Sequence, residues 1–349
     1  MFKVKQLVTA AAILLVASGA MASNFRAADQ VYVPAAGHLN ASGGTFISDI
    51  TVSNLENERV TVSVIYTPTT NLAGARQEPQ YFNDRFTLEP FERREFRDFL
   101  GLAQAQGGLG LASAFGTLIF NACRATANCT VGQDADGNHP DYRDIAVASR
   151  IYFAGPNVNS AGTTGQAFPG IPWYNYVSMR AAPSTSGNLS KVAIAGFRQE
   201  GFGGQANTQR SNVGVMNASQ YATTTLRLTL YQGANRTPIG APRDVTLAPL
   251  NHVQGNLVDL FPGLSTGPTA VNLYVIVEQI SSVAEPGAPA SCGSDGCPGF
   301  LAYGTVLDNL SGDGTTLEAI YEEPLSGTAL AAIYGSSAGK PNIRRSVRR

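Results

Sequence analysis

The sequence of this chain repeats itself once, with its parts in the same order in both copies. The segment SDITVSN (48–54) returns as SNVGVMN (211–217), and each is followed by an alternating segment that ends in tyrosine. Further along, TLEP (87–90) returns as TLAP (246–249), and Gly-Thr-Thr occurs near the end of both copies. A repeat of about 150–165 residues is far longer than a solenoid repeat, so it predicts two domains of one fold.

Strand patterns dominate both copies. Residues 60–64 and 226–230 alternate apolar and polar side chains, which is typical of a strand with one buried face. Further strand-like runs, separated by turn-forming Gly, Pro, Asn and Asp, are 116–120, 145–153, 192–197, 271–277 and 300–307. Each copy yields roughly seven strands, the number expected of an immunoglobulin-like sandwich. Short helical turns are expected at 97–104 and 258–264.

We therefore predict an all-β chain, made of two tandem immunoglobulin-like antiparallel β-sandwiches after a signal peptide. The predicted parts are a signal peptide at 1–22, domain 1 at 27–180, domain 2 at 181–325 and a basic flexible tail at 326–349. The join between the copies is rich in proline and aromatic residues.

The first 22 residues have the pattern of an export signal. Lys3 and Lys5 precede an apolar stretch at 7–17, and Ala-Met-Ala at 20–22 gives the small-x-small cleavage pattern, so the exported chain is expected to begin at Ser23. No later apolar run is long enough to cross a membrane, so we expect no membrane span. These features predict a location in the periplasm, at the cell surface or outside the cell.

The four cysteines form two close pairs at equivalent places in the repeat, Cys123 with Cys129 and Cys292 with Cys297. Three pairings are formally possible. One local disulfide in each domain is the simplest interpretation, since an exported protein folds in an oxidising compartment. A metal site that gathers all four thiolates is the alternative, although neither spacing is C-x2-C.

An acidic loop in the first copy is the strongest chemical signal. Asp134, Asp136, Asn138 and Asp141 place oxygen ligands at nearly alternate positions around a glycine, as a Ca²⁺ loop requires. The loop departs from an EF-hand, because it has no glutamate at the twelfth position and no flanking helix pattern. Asp, Asn and Gly are also ordinary turn residues, so a polar hairpin tip is the other interpretation.

Three aromatic residues follow the first copy: Trp173, Tyr174 and Tyr176. Aromatic rings suit the apolar faces of sugars, so these residues are candidates for ligand contact. Packing between the two domains is the competing interpretation, which the proline-rich setting favours.

Catalytic patterns are weak. The segment 263–267 matches G-x-S-x-G, but it lies between prolines in a β domain, without the strand-to-helix turn that this nucleophile pattern needs. The three histidines show no metal or triad spacing; His139 lies in the acidic loop, whereas His38 and His252 are expected at the surface. Seven of the 24 basic residues lie in the signal and the tail, which leaves an acidic body against 25 acidic residues. An acidic, exported body excludes nucleic acid as a partner.

The paired motifs resemble those of exported bacterial proteins built from tandem immunoglobulin-like sandwiches. The resemblance includes 33–37 leading into 44–50 and then Asn54, the matching stretch 210–217, and a closing strand at 303–309. It implies the fold and export from the cell. It implies no catalytic, cofactor or ligand-binding residue.

The sequence thus predicts a non-enzymatic exported surface or extracellular protein that acts through contacts, in adhesion, envelope structure or assembly. The expected partner is an envelope or extracellular protein or polysaccharide, and the expected contact loops are 121–143 and 280–299. A glycan-binding module, with or without Ca²⁺ in the contact, is the alternative function. An exported hydrolase is the third.

Overall fold

A computed structural model describes the backbone of residues 27–41, 44–70, 72, 75–126, 141–155, 165–173, 191–200, 208–233, 237–266, 270–309 and 312–321. The described chain is almost entirely β-structure, which confirms the predicted all-β class. The predicted signal peptide, the predicted tail and the predicted domain boundary near 180 lie outside these residues.

The described residues of the N-terminal half, which we define as residues 27–173, contain nine strands. They are β1 (Gln30–Ala41), β2 (Gly44–Asn54), β3 (Val60–Thr70), β4 (Gln80–Leu88), β5 (Arg93–Phe96), β6 (Ala114–Arg124), β7 (Ile145–Ala154), β8 (Gly165–Pro169) and β9 (Ile171–Pro172). A 3-10 turn, Gln104–Gln106, lies between β5 and β6.

In the C-terminal half, residues 191–321, the part of the chain that the structure describes contains ten strands. They are β10 (Lys191–Gln199), β11 (Gln209–Asn217), β12 (Ala222–Gln232), β13 (Thr237–Pro238), β14 (Arg243–Leu247), β15 (His252–Asn256), β16 (Ala270–Ala284), β17 (Phe300–Asp308), β18 (Gly314–Glu318) and β19 (Ile320–Tyr321). Between β15 and β16 lie a one-turn helix, α1 (Leu257–Leu260), and a 3-10 turn, Pro262–Thr266.

The strands of the N-terminal half curl around one core. Strand β3 lies between β4 and β6, and β6 pairs with the first part of β1. A register shift interrupts this pairing between Val33 and Ala36. From His38 to Ala41, β1 pairs with β2, which also pairs with β5 and β7. Strand β7 pairs with β8, and β9 returns to β1. The predicted alternation places Val60, Val62 and Val64 in this core, all fully buried.

Seven antiparallel pairings of the N-terminal half have counterparts in the C-terminal half, in the same chain order. Strand β12 pairs with β14 and β16, β16 with β10, β11 with β15 and β17, β17 with β18, and β10 with β19. The alternating residues Leu226, Leu228 and Leu230 fill the second core, as Val60 to Val64 fill the first. The β1–β2 hairpin is the main pairing of the N-terminal half that has no counterpart among the described strands.

The asparagine that ends each repeated SDITVSN-like segment holds two turns together. The side-chain amide of Asn54 donates to the carbonyl oxygens of Glu58 and Glu89, both at 2.8 Å. Its side-chain oxygen accepts from the backbone N–H of Glu56 at 2.9 Å. Because Asn54 is buried, these bonds supply the partners that its side-chain oxygen and amide need away from water.

Asn217 makes the same contacts in the C-terminal half. Its amide donates to the carbonyl oxygens of Ala222 at 2.6 Å, Leu247 at 3.1 Å and Ala248 at 3.0 Å. Its oxygen accepts from the N–H of Ser219 at 3.0 Å. The recurring asparagine and the recurring TLEP and TLAP segments are therefore parts of one structural device.

The turn after each of these segments has an unusual backbone. Pro90 and Pro249 are each followed by a residue with positive φ, Phe91 at 56° and Leu250 at 57°. Backbone hydrogen bonds of 3.0 and 3.1 Å close the two turns. Proline followed by positive φ is the geometry of a type II turn, so proline presets the first central residue and the turn strains the second.

The two halves meet in a contact that we call the seam. Strands β3 and β15 pair there in parallel, with Thr69 opposite His252. A buried apolar cluster spans the seam, with members from both halves: Tyr32, Ile65, Ile119, Met216, Ala218, Leu250 and Leu301. Apolar burial and shared strand pairing thus join the halves directly.

Candidate contact surfaces

Two large apolar side chains are exposed on adjacent turns at one end of the N-terminal half. Leu55 is 49% exposed and Phe91 is 68% exposed. The N–H of Phe91 donates to the carbonyl oxygen of Glu56 at 3.1 Å, which fixes Phe91 beside the turn that carries Leu55. We call Leu55 and Phe91 the exposed turn pair. Large exposed apolar side chains on neighbouring turns are candidates for a contact site.

The equivalent positions of the C-terminal half are buried in the seam. Ala218 follows Asn217 as Leu55 follows Asn54, and Leu250 follows Pro249 as Phe91 follows Pro90. The N–H of Leu250 donates to the carbonyl oxygen of residue 219, matching the Phe91 contact. Ala218 is 8% exposed and Leu250 is 1% exposed. The same turn geometry is therefore covered in one half and uncovered in the other.

His252 is fully buried in the seam, so the prediction that it lies at the surface was wrong. Its Nδ1 lies 2.8 Å from Thr69 Oγ1 of the N-terminal half, and its Nε2 lies 2.9 Å from the hydroxyl of Tyr303. The Tyr303 hydroxyl donates to Gln254 Oε1 at 2.7 Å. The ring of Phe168, from the N-terminal half, packs edge-on against the Tyr303 ring, with 5.6 Å between the ring centroids. This contact completes the burial of His252 and Tyr303.

Burial sets the protonation of these groups. Desolvation lowers the pKa of His252 from 6.5 to about 3, because the dry seam disfavours the charged imidazolium. Desolvation also raises the pKa of Tyr303 far above its ordinary value. Both side chains are therefore neutral near pH 7, and this network serves to join the halves.

The predicted disulfide of the C-terminal half is present. Cys292 and Cys297 are bonded, with an S–S distance of 2.06 Å. The Ser219 hydroxyl donates to the carbonyl oxygen of Gly296 at 2.8 Å, which ties the disulfide loop to the turn before β12. Cys129 lies outside the described residues, so its pairing with Cys123 stays a prediction.

An ion pair crosses between the halves near the base of this loop. Arg76 Nη1 of the N-terminal half lies 3.2 Å from Glu285 Oε2 of the C-terminal half. The Thr223 hydroxyl, which also donates to Glu285, and the Arg76 guanidinium together hold the pKa of Glu285 below its ordinary value. The predicted contact loop 280–299 is thus anchored to both halves at its base.

The predicted Ca²⁺ ligands fall largely outside the described residues, which exclude Asp134, Asp136 and Asn138. Asp141 is described, and its backbone carbonyl accepts from the N–H of Arg124 at 2.7 Å. Among the described residues no group of three or more His, Cys, Asp or Glu side chains is placed to hold a metal ion. The Ca²⁺ site stays a prediction.

Of the three predicted aromatic contact residues, Trp173 is described, whereas Tyr174 and Tyr176 are not. The Trp173 indole N–H donates to Asp29 Oδ1 at 2.7 Å. Its ring packs against the seam cluster and against the first core. The sugar-binding role of Trp173 stays a prediction, and this packing gives the ring a structural task at the seam.

A histidine–carboxylate pair lies near the surface of the N-terminal half. His38 Nδ1 is 2.8 and 2.9 Å from the two oxygens of Asp98, a residue with a positive φ of 50°. The backbone N–H of Asp98 donates to Asp49 Oδ1 at 3.0 Å. The serine of the G-x-S-x-G match, Ser265, lies in a 3-10 turn of the other half. That placement differs from the strand-to-helix turn that the nucleophile pattern requires.

Comparisons with known proteins assign the chain to no family. No protein-family model and no curated protein matches the chain. The resemblance to exported tandem-sandwich proteins therefore stays a prediction. In the described part of the chain, no helix is long and apolar enough to cross a membrane.

The exposed turn pair was not among the predicted site residues. The repeat contained the signal, because Leu55 stands where the other copy has alanine and Phe91 where it has leucine. An apolar residue next to a turn asparagine gives no indication of its exposure by itself. The difference between the two copies becomes informative once the structure shows that the seam covers Ala218 and Leu250.

Proposed function

We propose that this chain is a non-enzymatic exported protein that acts through surface contacts, in adhesion, envelope structure or assembly. The exposed turn pair carries the proposal. Two large apolar side chains, 49% and 68% exposed, stand on turns whose backbone a buried asparagine fixes. A preorganised apolar surface of this kind loses little conformational freedom when a partner covers it.

Tandem immunoglobulin-like sandwiches are the fold that we propose within the observed all-β architecture. The seven recurring strand pairings and the two separate cores support this assignment. So does the recurrence of the asparagine turn in both halves. A scaffold of this type presents turns at its ends while its cores stay unchanged.

Export to the periplasm, the cell surface or the medium is part of the proposal. The predicted signal peptide and the disulfide between Cys292 and Cys297 support it, because disulfides persist in oxidising compartments. Expression of the full chain in a bacterial host, followed by intact-mass analysis of the exported product, tests this step. The expected product begins at Ser23. A chain retained in the cytoplasm with its first 22 residues would contradict it.

Retention on envelope material tests the contact function. The exported chain is incubated with whole envelope fractions and with insoluble polysaccharides, with and without Ca²⁺. We expect retention on envelope material that a Leu55→Ser, Phe91→Ser double variant loses. Val283→Ser is the matched control, because Val283 is 62% exposed on another surface and its replacement leaves the turn pair intact. Equal retention of all three proteins would contradict a role for the turn pair.

The glycan-binding alternative has its own variants. Retention on one defined polysaccharide that Trp173→Ala and Trp173→Phe both lose would favour it, since the phenylalanine variant keeps most of the apolar packing at the seam. A Ca²⁺-dependent thermal shift lost in Asp136→Ala and kept in Asp244→Asn would place the metal in the acidic loop. Asp244 suits as a control because its carboxylate pairs with Arg227 at 2.8 Å on another surface.

A further inference from the structure

Each of the two surfaces that form the seam has an accessible counterpart elsewhere in the chain. The C-terminal half contributes Met216, Ala218, Leu250 and Leu301. The counterparts of its turn residues, Ala218 and Leu250, are the exposed turn pair, Leu55 and Phe91. The counterparts of its strand residues, Met216 and Leu301, are Ser53 and Ala146 by strand register. The N-terminal half contributes the outward-facing side of its β1–β6–β3 strands. The counterpart of that side is the outer side of β10, β16 and β12.

Strand register identifies the equivalent residues on this second surface. Ile119 pairs with Tyr32 on one side and with Ile65 on the other. In the C-terminal half, Ile276 has the same position and pairs with Ala193 and Thr229. We call Ala193, Thr229 and Ile276 the outer sheet patch. The three residues are half-buried, whereas their counterparts in the seam are nearly inaccessible to solvent.

The turn residues and the sheet residues that they face differ in size in a complementary way between the seam and its counterpart, whereas the strand residues methionine and leucine of the seam become serine and alanine. At the seam, small or medium turn residues, alanine and leucine, meet a bulky sheet surface of tyrosine and two isoleucines. At the counterparts, larger turn residues, leucine and phenylalanine, stand opposite a sheet patch in which tyrosine becomes alanine and one isoleucine becomes threonine. Larger projections thus accompany a shallower surface, which is the relation that close packing requires.

We propose that the exposed turn pair of one molecule docks on the outer sheet patch of a second copy of this chain, in a head-to-tail contact that repeats the turn-to-sheet part of the seam. The inference deepens the proposed contact function and rests on it, since it names the partner of the same surface. The two contacting surfaces are different, so the contact is heterologous. Successive copies therefore add to one another as an open-ended series or a closed ring.

The polar part of the seam is not repeated. At the seam, the side chain of Asn251 bonds both backbone groups of Gln77, at 2.7 and 2.8 Å. The equivalent of Asn251 is Glu92, which bonds the N–H of Glu89 at 2.7 Å and Arg94 at 2.6 Å within its own half. We therefore expect the contact between copies to be weaker than the seam and to depend on protein concentration.

Two single variants test the two surfaces separately. Phe91→Asp places a charge on the turn pair, and Thr229→Arg places one on the outer sheet patch. Both changes are compatible with folding, because Phe91 is largely exposed and Arg227, two residues from Thr229 on the same face, already carries an exposed guanidinium. Circular dichroism and thermal unfolding verify the fold. Val283→Asp is the control, because Val283 is exposed on the same face of β16 but seven residues from Ile276, about 20 Å along the strand and outside the outer sheet patch.

Sedimentation velocity measures the outcome. The wild-type chain is expected to grow in mass with concentration, as is the Val283→Asp control, and each of the two surface variants is expected to self-associate roughly 30-fold more weakly. An equimolar mixture of the two surface variants retains one intact turn pair and one intact patch. It is therefore expected to form 1:1 dimers that grow no further.

A wild-type chain that stays monomeric at all concentrations would overturn the inference. So would self-association that Thr229→Arg leaves unchanged, because the contact would then join turn pair to turn pair. If all proteins are monomeric while Phe91→Asp still loses retention on envelope material, the proposed function stands and only the second copy is rejected. If the chain self-associates as expected but no envelope material retains it, the self-contact stands without the envelope partner.

Discussion

The imidazole of His252 and the phenol of Tyr303 lie 2.9 Å apart through Nε2 and the hydroxyl oxygen, with their rings nearly parallel. The hydroxyl has one proton, which it donates to Gln254 Oε1. His252 therefore donates from Nε2–H, and its Nδ1 accepts from the Thr69 hydroxyl of the other half. This assignment fixes one neutral tautomer and leaves each of these four groups with a partner across or beside the seam.

Removal of the Tyr303 hydroxyl is expected to destabilise the chain. In Tyr303→Phe, the buried His252 Nε2–H and the half-buried Gln254 Oε1 both lose their partner, at a cost of about 1–3 kcal/mol in the free energy of unfolding. Chemical denaturation measures the loss. Tyr231→Phe is the control, since Tyr231 is half-exposed and its change should cost less than about 0.5 kcal/mol. Equal costs for the two variants would contradict the network.

The seam is also expected to weaken in mild acid. Burial lowers the pKa of His252 to about 3 in the folded chain, whereas the ordinary value is 6.5. Below pH 6.5 the unfolded chain binds a proton that the folded chain does not, so the free energy of unfolding falls as the pH falls toward 3. Between pH 7 and pH 5 this group contributes a loss of about 2 kcal/mol.

Denaturant unfolding of the wild type and His252→Gln at both pH values isolates this contribution. Carboxylates with a lowered pKa, such as Glu285, also make the folded chain less stable in acid, but they do so equally in both proteins. The drop from pH 7 to pH 5 should therefore be smaller in His252→Gln by about 2 kcal/mol. An identical drop in the two proteins would show that His252 does not titrate in this way.

Some elements were predictable from sequence and others were not, for physical reasons. Period-two alternation at 60–64 and 226–230 locates strands because one face of each is buried. Strands of two residues, such as Ile171–Pro172 and Ile320–Tyr321, are too short to show a period, so the estimate of roughly seven strands in each copy was too low. The burial of His252 depends on the other half of the chain, which local sequence does not encode.

Replacement of the turn asparagines tests whether the halves unfold together. Asn54→Ala and Asn217→Ala each leave backbone groups without their side-chain partner, at a cost of about 1–3 kcal/mol in the free energy of unfolding. Asn217→Ala should cost more, because Asn217 donates to three carbonyls, two of them in buried bonds, whereas Asn54 donates to two carbonyls in half-buried bonds. Because the seam joins the halves, both variants should shift one shared transition. Asn57→Ala, an exposed change in the same turn as Asn54, serves as the control.

Two signals report this transition independently. Far-UV circular dichroism follows both halves, and the fluorescence of Trp173, the single tryptophan, follows the seam. The two curves should coincide in the wild type and in both variants. Two separate transitions, each moved by one variant alone, would show that the seam does not couple the halves.

Gly214 lies opposite Tyr303 on the neighbouring strand, and the Tyr303 ring occupies the space that a side chain at position 214 would need. A Cβ atom at Gly214 would lie 2.2 Å from Tyr303 Cζ and 2.5 Å from the hydroxyl oxygen. In the N-terminal half, the equivalent cross-strand pair is Thr51 on β2 with Ala148 on β7. There the larger residue, Thr51, lies on the strand that corresponds to the strand of Gly214.

Gly214→Ala should displace the Tyr303 ring from His252 and cost about 1–3 kcal/mol in the free energy of unfolding. In a Tyr303→Ala background the same change should cost less than about 0.5 kcal/mol, because the clash is gone. Equal costs in both backgrounds, measured by denaturant unfolding, would mean that Gly214 is needed for its backbone and not for the space that it leaves to Tyr303.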